Sequence, residues 1–352
     1  MYVGIDHSTT GIKVTCLGDD HPEHAFRIDR REVDDGSVLA ALAEHVDPDD
    51  VTLATMTYSW ANGISEIVDI ERPSNRGVKD YTGLGYETGA GARTYDQLRS
   101  SSIPTVVLPG VHDGLDTLHP YFKHYSTLAG ADKVADMRYA LERARKAGAD
   151  GNVIWACASS SCMAGLISEG ELRGFFHWMG PVHGWPDPQA IREGEDDGFE
   201  DVFMQCGIVP RSGQEVADVH DITDPEIFEK VYWATMQNVY SLYPFADMLG
   251  PRSLDAIVLT GRLMRREQPM SLGRRVYEQC LDLAPTFTAE PYSAAHGAAL
   301  VARDVARGAD EVLGIPVGAV PASLGQAEPA EDVLDQPPES DPMQTAESEA
   351  DD

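Results

Sequence analysis

The chain has 352 residues, 42% of them apolar, and its 58 acidic side chains outnumber 27 Lys and Arg to give a formal charge of −31. This length allows two domains, each with its own hydrophobic core. The excess of acid disfavours binding to nucleic acid, which needs cations to neutralise phosphates. Because no run of about eighteen apolar residues occurs, the sequence predicts no membrane-spanning helix and no membrane partner.

The acidic residues are unevenly distributed. Residues 321–352 hold ten acids and no Lys or Arg, and subtracting these ten charges from −31 leaves −21 for the rest of the chain. Dispersed acid with only six lysines resembles the proteins of salt-loving archaea, whose carboxylates keep the chain soluble when salt screens charge. Residues 318–352 have too few apolar side chains to offset the entropy of ordering, and are predicted to form a disordered acidic tail.

The first seventeen residues predict a β-hairpin that holds phosphate. An apolar strand ends at Asp6, turns through residues 7–11 and resumes as residues 12–17. Backbone N–H groups and hydroxyls in such a turn converge on phosphate oxygens, while a carboxylate at the end of the strand orders a hydrated Mg²⁺. We therefore assign metal binding and catalysis to Asp6. The predicted nucleotide contacts of this hairpin are Ser8, Thr9, Thr10 and Lys13. An ordinary hairpin with a polar turn is the alternative.

Strands and helices alternate after this hairpin. The predicted elements are strands at residues 24–28, 51–58 and 103–108 and helices at residues 35–46, 95–98 and 132–146. A second copy of the hairpin follows, in which an apolar run at 152–158 enters a turn of three serines and returns at 163–167. The predicted phosphate contacts of this turn are Ser159, Ser160 and Ser161. The matching offsets of the two hairpins predict duplicated lobes.

The second half also predicts a turn that contacts a nucleoside. Helices are predicted at residues 225–249, 271–283 and 293–307, and a strand at 256–259 enters the turn Thr260-Gly261. Glycine at this turn lets the backbone approach a sugar or base without an intervening Cβ, so we assign nucleotide binding to Thr260 and Gly261. A glycine that only tightens a β–α turn is the alternative.

This order of elements resembles actin, the sugar and acetate kinases and the large heat-shock chaperones. The resemblance implies an α/β fold of duplicated actin-like (ribonuclease H-like) βββαβαβα lobes with an interlobe cleft, and ATP and Mg²⁺ as cofactors. The implied domains are an N-terminal lobe at residues 1–150, a C-terminal lobe at 151–317 and the tail at 318–352. The helix at 293–307 is expected to pack at the lobe interface.

Separated motifs between Met1 and Val317 narrow the resemblance. Taken together, they are similar to the methanogenesis marker protein twelve family of archaea, which implies the same fold without naming a substrate. The motifs are Thr57-Tyr58-Ser59, Asn62-Gly63-Ile64, Asp69-Ile70, Asn75-Arg76-Gly77-Val78, Thr88-Gly89-Ala90-Gly91, Arg93-Thr94-Tyr95-Asp96, the segment 106–112, Val182-His183-Gly184-Trp185-Pro186-Asp187 and Ala190-Ile191-Arg192.

One position departs from the pattern of these families. They commonly place an aspartate at the start of the second phosphate hairpin, where this chain has Cys157. A neutral thiol does not replace a carboxylate as a ligand for Mg²⁺, which prefers oxygen. We therefore considered loop residues that could act as the base, and assign catalysis to His183 and Asp187 with Asp6. Other candidates are His112 and Asp113 as base and Arg76 and Arg93 for an anionic substrate, with structural roles as the alternative for each.

Three functions are compatible with the sequence. The first is an ATP-dependent phosphotransferase or ATPase with an unidentified acceptor, and the second is a nucleotide-binding regulatory or assembly protein with little or no hydrolysis. The third is redox or metal chemistry at Cys157 and Cys162, although five cysteines without an export signal are expected to be free thiols. The start of the chain shows no basic segment followed by an apolar core, so we expect a cytoplasmic protein. Its partner is a small molecule or another protein, and a homodimer is left open.

Overall fold

A computed structural model gives the architecture of the chain. The residues it describes are 1–8, 11–18, 22–58, 63–74, 89–126, 128–182, 184–185, 191, 202–203, 205–214, 219–249 and 253–324. Within them, two sheets carry the fold, and a short hairpin of β12 (Glu311–Val312) and β13 (Ile315–Pro316) follows the last helix.

The first sheet is formed by the N-terminal part of the chain. Its strands are β1 (Tyr2–Ser8), β2 (Gly11–Leu17), β3 (Pro22–Asp29), β4 (Leu53–Thr57), β5 (Val68–Asp69) and β6 (Thr105–Leu108), in the order β3-β2-β1-β4-β6-β5. Strands β1 to β3 form an antiparallel meander, and β1 pairs in parallel with β4, which pairs in parallel with β6. The predicted strands at 24–28, 51–58 and 103–108 correspond to β3, β4 and β6.

The second sheet repeats this arrangement. Its strands are β7 (Asn152–Ala158), β8 (Cys162–Ser168), β9 (Glu171–Phe176), β10 (Leu254–Thr260) and β11 (Thr286–Thr288), in the order β11-β10-β7-β8-β9. Strands β7 to β9 form the antiparallel meander, and β7, β10 and β11 are parallel. The two sheets therefore share a topology of one meander joined to parallel strands, as the matching hairpins predict.

The helices cover both faces of each sheet. They are α1 (Ser37–Ala43), α2 (Ala90–Arg99), α3 (Ala131–Arg145), α4 (Ile208–Arg211), α5 (Pro225–Leu249), α6 (Leu272–Leu281) and α7 (Ser293–Ala306). Buried side chains of α1 and α2 pack on one face of the first sheet, while those of α5 and α6 pack on one face of the second. Helices α3 and α7 lie between the sheets, where side chains of both sheets join a single hydrophobic core.

Strand β7 shows why this layered order follows from the sequence. Its seven residues are all buried, so it reads as a continuous apolar run instead of an alternating one. Val153, Trp155 and Cys157 belong to the core between the sheets, whereas Ile154 and Ala156 belong to the core under α5 and α6. A strand with helices on both faces requires apolar side chains on both.

Helix α7 crosses from the second half of the chain to the first sheet. It packs on β1, β2 and β4 and along α3, while α3 contacts β7 and β10 of the second sheet. A Cβ atom on Gly4 of β1 would lie 1.9 Å from the carbonyl oxygen of Ala295, and a Cβ on Gly297 would lie 1.7 Å from that of Ala135. Glycine at these two positions is therefore what allows α7 to approach both neighbours so closely.

The end of the chain stays close to the first sheet for a few residues beyond 317. The backbone N–H of Gly318 donates to the carbonyl of Ile67, and that of Asp69 donates to the carbonyl of Ala319. The remainder of the predicted tail, from residue 325, lies outside the described residues. The domain boundaries at residues 150 and 317 stay predictions. Among the helices that the structure describes, none has the length and apolar character to cross a bilayer.

Acid is expected to destabilise the fold through His296 of α7. Burial lowers the pKa of this histidine to about 4, whereas an unfolded histidine titrates near 6.5. As the pH falls from about 6.5 to 4, the unfolded state takes up a proton that the folded state does not, so the free energy of unfolding decreases, by about 3 kcal/mol at pH 4. Burial lowers the pKa of His7 and His112 as well, which adds to the same trend.

Urea denaturation at pH 7 and pH 4.5 measures this effect. The variant His296→Gln should lose less stability over that interval than the unmodified chain. The same change at His124, whose ring is exposed, controls for the removal of an imidazole. Equal losses for the His296 variant and the unmodified chain would show that this ring does not contribute.

Candidate functional site

A cavity of about 230 Å³ lies between the two sheets. Strands β1 to β3 supply one side, the strand β7 and its turn another, and the turn after β10 a third. The first two turns of α3 and the start of α7 complete the lining. The two helices between the sheets therefore begin at the cavity that the two hairpins line.

Cations outnumber acids in the lining of this cavity, whereas acids outnumber cations in the whole chain. Eight of its lining residues are charged, and five of them are cations although acids outnumber Lys and Arg by 58 to 27 in the chain. The cations are Lys13, Arg27, Lys133, Arg262 and Arg265, and the acids are Asp6, Asp132 and Asp136. A local excess of positive charge in an acidic protein favours an anionic ligand.

Asp6 lies near the end of β1 and faces the cavity. It pairs across the hairpin with Lys13, whose Nζ is 3.1 Å from Asp6 Oδ2. The carboxylate is 1% exposed, and its other oxygen, Oδ1, has no hydrogen-bond partner among the described residues. One oxygen is thus held by the lysine while the second is available to a ligand.

An ion pair occupies the first turn of α3. Lys133 Nζ lies 2.5 Å from Asp132 Oδ2. Burial alone would raise the pKa of Asp132, but the charge and hydrogen bond of Lys133 together with the charges of His7 and Lys13 outweigh it and lower that pKa. Burial alone would also lower the pKa of Lys133, but the charge and hydrogen bond of Asp132 together with neighbouring acidic groups hold it well above its usual value. Both groups therefore stay charged at neutral pH.

Asp136 lies one turn further along α3 and is 5% exposed. Its Oδ2 accepts hydrogen bonds from Thr260 Oγ1 at 2.5 Å and from Trp155 Nε1 at 3.0 Å. Its Oδ1 has no partner that meets hydrogen-bond geometry in the described part of the chain, although the hydroxyl of Ser293 lies close enough to the carboxyl to lower its pKa. Burial raises the pKa of this carboxyl, against the opposing effects of Ser293, Thr260, Trp155 and the charge of Lys133.

Cys157 adds no charge to the cavity. The residue is 3% exposed, and burial raises the pKa of its thiol to about 11, against the lowering effect of Lys133. It pairs in register with Thr260 on the neighbouring strand β10, so it lies in the same corner as Asp136. At the position where related folds are expected to carry an aspartate, this chain has a neutral group.

The turn after β10 brings backbone to the cavity. Gly261 has a φ of +101°, and a Cβ atom there would lie 2.2 Å from the carbonyl oxygen of Ala158. Only glycine fits both the conformation and the space. Arg262 and Arg265, which follow it, line the cavity with Gly261.

Relatives of known sequence place the chain in a family. No family model matches it. The UPF0285 protein of Methanococcus maripaludis is 30% identical over 329 residues, which cover 90% of this chain and 99% of the relative. The corresponding protein of Methanothermobacter thermautotrophicus is 30% identical over 337 residues, covering 90% and 98%.

This chain belongs to the UPF0285 family.

Solved structures confirm the predicted fold of the UPF0285 chain. A propionate kinase from Francisella tularensis aligns with a TM-score of 0.55 at 12% identity, covering 84% of this chain and 98% of the kinase. An acetate kinase from Entamoeba histolytica aligns with a TM-score of 0.52 at 10% identity, covering 86% and 98%. The fold is therefore the duplicated actin-like, ribonuclease H-like fold. At these identities the likeness concerns the fold alone.

The structure brings some of the predicted site residues of this UPF0285 protein together at the cavity. Asp6, Lys13, Ser159 and Gly261 line it. Thr260 is 1% exposed and its hydroxyl is engaged by Asp136 and Trp155, so it supports the site from behind.

The other predicted residues lie beside the cavity or outside the described chain. Ser8 Oγ donates to the carbonyl of Gly11 within the first hairpin. Ser160 and Ser161 belong to the same turn as Ser159, and Ser161 is 1% exposed. The remaining predicted site residues, Thr9, Thr10, His183 and Asp187, are outside the described residues.

Two further candidates have structural roles in the UPF0285 chain. His112 is 6% exposed; its Nδ1 accepts from the N–H of Gly114, so its Nε2 donates to the carbonyl of Ile64 at 3.0 Å. Arg93 donates to the carbonyl of Val33 at 2.9 Å. Arg76 lies outside the described residues.

The cysteines do not form a redox or metal centre where the chain is described. All five are buried free thiols, and burial raises the pKa of Cys162 to about 12. No group of three or more His, Cys, Asp or Glu side chains suited to a metal ion is present among the described residues. Thiolate chemistry at Cys157 and Cys162 is therefore disfavoured at neutral pH.

The sequence analysis did not assign six of the eight charged residues that line the cavity, which are Arg27, Asp132, Lys133, Asp136, Arg262 and Arg265. It also did not assign the uncharged residues Tyr292 and Ser293 at the start of α7. One signal was available, because Asp132 and Asp136 are four residues apart and so share a face of the predicted helix. An acidic side chain buried between the apolar residues of such a helix needs a polar or charged partner. Asp136 could have been predicted as a site residue on this ground.

Proposed function

We propose that this UPF0285 protein binds ATP in the cavity between its sheets and acts as an ATP-dependent phosphotransferase or ATPase. The observation that carries the proposal is the convergence of five cations on one cavity of a chain with charge −31. Solubility does not require a cluster of cations, because the dispersed acidic side chains already keep the protein soluble. A polyphosphate ligand does require such a cluster, because several phosphate charges need neutralisation.

Magnesium fits the carboxylates of the same cavity. Asp6 would hold the ion, directly or through water, with the oxygen Oδ1, which has no hydrogen-bond partner within the described ranges. Mg²⁺ is commonly bound by one or two carboxylates together with substrate phosphates, so a site with few protein ligands is suitable. When bound, the ion would neutralise charge that develops on the phosphates.

The remaining residues are proposed to position the nucleotide. Lys133 and Lys13 would neutralise phosphate oxygens, and the backbone at Gly261 would contact the nucleoside. Helix α7 begins at the cavity with Tyr292 and Ser293, and the free N–H groups at the start of a 14-residue helix favour an anion. Phosphoryl transfer is catalysed mainly by such positioning and charge neutralisation.

A second function, nucleotide binding with little hydrolysis, is favoured by Cys157. This protein would use the cavity as a conformational switch that signals to a partner. At about 230 Å³ the cavity is smaller than the roughly 300–1,000 Å³ typical of cofactor sites. We expect the two sheets to separate slightly when a whole nucleotide enters. Binding without multiple turnover would support this alternative over the phosphotransferase.

Several expectations about the source and surroundings of the protein stay predictions. They are the resemblance to the methanogenesis marker protein twelve family, the location in the cytoplasm of a salt-loving archaeon and the solvated tail, while a homodimer stays open. Because a salt-loving source is expected, calorimetry should be carried out in high salt. The acceptor is proposed to be a small molecule or another protein.

The exposed cation Arg265 provides a test of nucleotide binding. We expect Arg265→Gln to weaken ATP binding about tenfold, the size of a lost hydrogen bond to a charged group, because its guanidinium lines the cavity. Isothermal titration calorimetry with ATP, ADP and GTP, with and without Mg²⁺, measures it.

A matched control for this test is Arg274→Gln. Arg274 is 77% exposed and pairs with Glu278 on α6, so its removal should not change ATP affinity. If no nucleotide binds under any of these conditions, the proposed function is wrong. If both arginine variants weaken binding equally, the cavity is not where the nucleotide binds.

A further inference from the structure

We propose that Asp136 of helix α3, and not residue 157 of the second hairpin, supplies the second carboxylate of the magnesium site. This inference rests on the proposed function, because it specifies how the same cavity holds its metal. The inference also favours an active nucleotide site over an inactive one, because Asp136 would supply the carboxylate that is absent at position 157.

The first observation is a pair of buried carboxylate oxygens to which the described residues donate no hydrogen bond of good geometry. Oδ1 of Asp6 and Oδ1 of Asp136 belong to side chains that are 1% and 5% exposed, and both residues line the cavity. Leaving a buried charged oxygen unsatisfied costs more than an ordinary hydrogen bond contributes. A cation in the cavity, or its bound water, is a suitable partner for such an oxygen.

The second observation is that each carboxylate is oriented by its other oxygen. Lys13 holds Oδ2 of Asp6, and Thr260 and Trp155 hold Oδ2 of Asp136. This arrangement fixes the plane of each carboxylate and directs the free oxygen. Outer hydrogen bonds of this kind are typical of metal-binding carboxylates.

The competing residues in this corner are less suitable. Cys157 presents a neutral, buried thiol, and sulfur is a poor ligand for Mg²⁺. Asp132 pairs with Lys133 at 2.5 Å, and unlike the two carboxylates of the first observation it has no buried oxygen that lacks a partner among the described residues. Asp136 lies beside Cys157 through their shared neighbour Thr260. The helix therefore presents a carboxylate in the corner where the strand presents a thiol.

The number of ligands agrees with magnesium. The described residues contain no group of three or more metal-binding side chains, which argues against a closed structural metal site. Two carboxylates leave room for water and for phosphate oxygens, which is how Mg²⁺ is usually held with a nucleotide.

Manganese binding tests the assignment without measuring activity. Mn²⁺ is titrated into the purified full-length chain, with and without ADP, and free Mn²⁺ is measured by electron paramagnetic resonance. Asp136→Asn keeps an oxygen for Thr260 but removes the charge, and should lower the affinity for Mn²⁺ at least about tenfold. Cys157→Ala should leave that affinity within about twofold of the unmodified chain.

The reverse pattern would overturn the proposal. If Cys157→Ala weakens Mn²⁺ binding and Asp136→Asn does not, the strand position holds the metal. Should Asp136→Asn fail to fold, Trp155 gives a measurement on the unmodified chain, since its indole donates to Asp136. Bound Mn²⁺ should quench a component of the fluorescence that Trp155→Phe lacks, and absence of that component would also contradict the assignment.

The two proposals fail in different ways. Mn²⁺ binding that depends on Asp136 in a chain that binds no ATP or ADP would refute the nucleotide function and retain the metal site. Nucleotide binding that is unaffected by Asp136→Asn, together with unchanged Mn²⁺ affinity, would retain the function and refute the metal assignment.

Discussion

Replacement of Asp6 by asparagine is expected to lower Mg²⁺-dependent ATP turnover by roughly a hundredfold or more. The estimate is the usual effect of losing one electrostatic contact that stabilises a transition state. The carboxylate is buried, the residue lines the cavity, and one carboxylate oxygen accepts no hydrogen bond from the part of the chain that the structure describes. Asparagine has nearly the same shape but removes the negative charge that would hold the metal. Release of phosphate from ATP at several Mg²⁺ concentrations measures the change.

The control for this substitution is Asp116→Asn. The side chain of Asp116 is 98% exposed and pairs with Lys123, so its replacement should change turnover by less than about twofold, in keeping with the small contribution of exposed ion pairs. Thermal unfolding of both variants shows whether the fold is retained, since Asp6→Asn leaves Lys13 without its charged partner. Turnover that is undiminished in a folded Asp6→Asn variant would remove Asp6 from the site.

Replacement of Gly297 by alanine is expected to destabilise the fold by about 3 kcal/mol or more. In an exposed helix this change would stabilise by about 1 kcal/mol, because alanine is the better helix former. In α7 the new Cβ would lie 1.7 Å from the carbonyl oxygen of Ala135, and this contact is with backbone that cannot rotate away. Overpacking of this kind forces the two helices apart. Urea denaturation followed by circular dichroism measures the free energy of unfolding.

A glycine with open surroundings separates the steric effect from the conformational one. Gly213 has a φ of +70° and no atom within 4 Å of an added Cβ. Gly213→Ala should therefore cost only about 1–2 kcal/mol, from the left-handed backbone. If Gly297→Ala is no more destabilising than Gly213→Ala, helices α3 and α7 are not packed as closely as described. A stable Gly297→Ala variant with weakened ATP binding would show instead that the contact aligns the cavity.

The secondary structure follows from local patterns to a large extent. The expected helix at 225–249 coincides with α5, the one at 132–146 differs from α3 by one residue at each end, and the one at 293–307 extends one residue beyond α7. A helix with one buried face has apolar residues at a regular spacing, and a long helix repeats that spacing several times, so it is predicted accurately. The helix predicted at 35–46 is shorter in the structure, where α1 covers Ser37–Ala43, because the ends of helices carry few of these repeats.

The sequence predicts only those residues of the site that belong to a hairpin or a tight turn. Asp6 and Lys13 are close in sequence and opposite in the hairpin, and Gly261 ends a recognisable strand. Arg27, Arg265 and Asp136 reach the same cavity from three separate elements. The local sequence does not distinguish such residues from charged residues on the surface. The apolar periodicity of a helix or strand predicts which of its faces is buried, but not how far it lies from other elements.

By itself, the sequence determined that this chain has two matched hairpins, a glycine turn and a small-sided last helix, because each of these depends on the conformations of neighbouring residues. Only the tertiary structure decided that helix α7 returns to the first sheet, that Thr260 supports Asp136 instead of facing the cavity, and that five cations converge in an acidic protein. These features arise from contacts between residues more than a hundred positions apart. Such contacts depend on how whole layers pack, which no local pattern encodes.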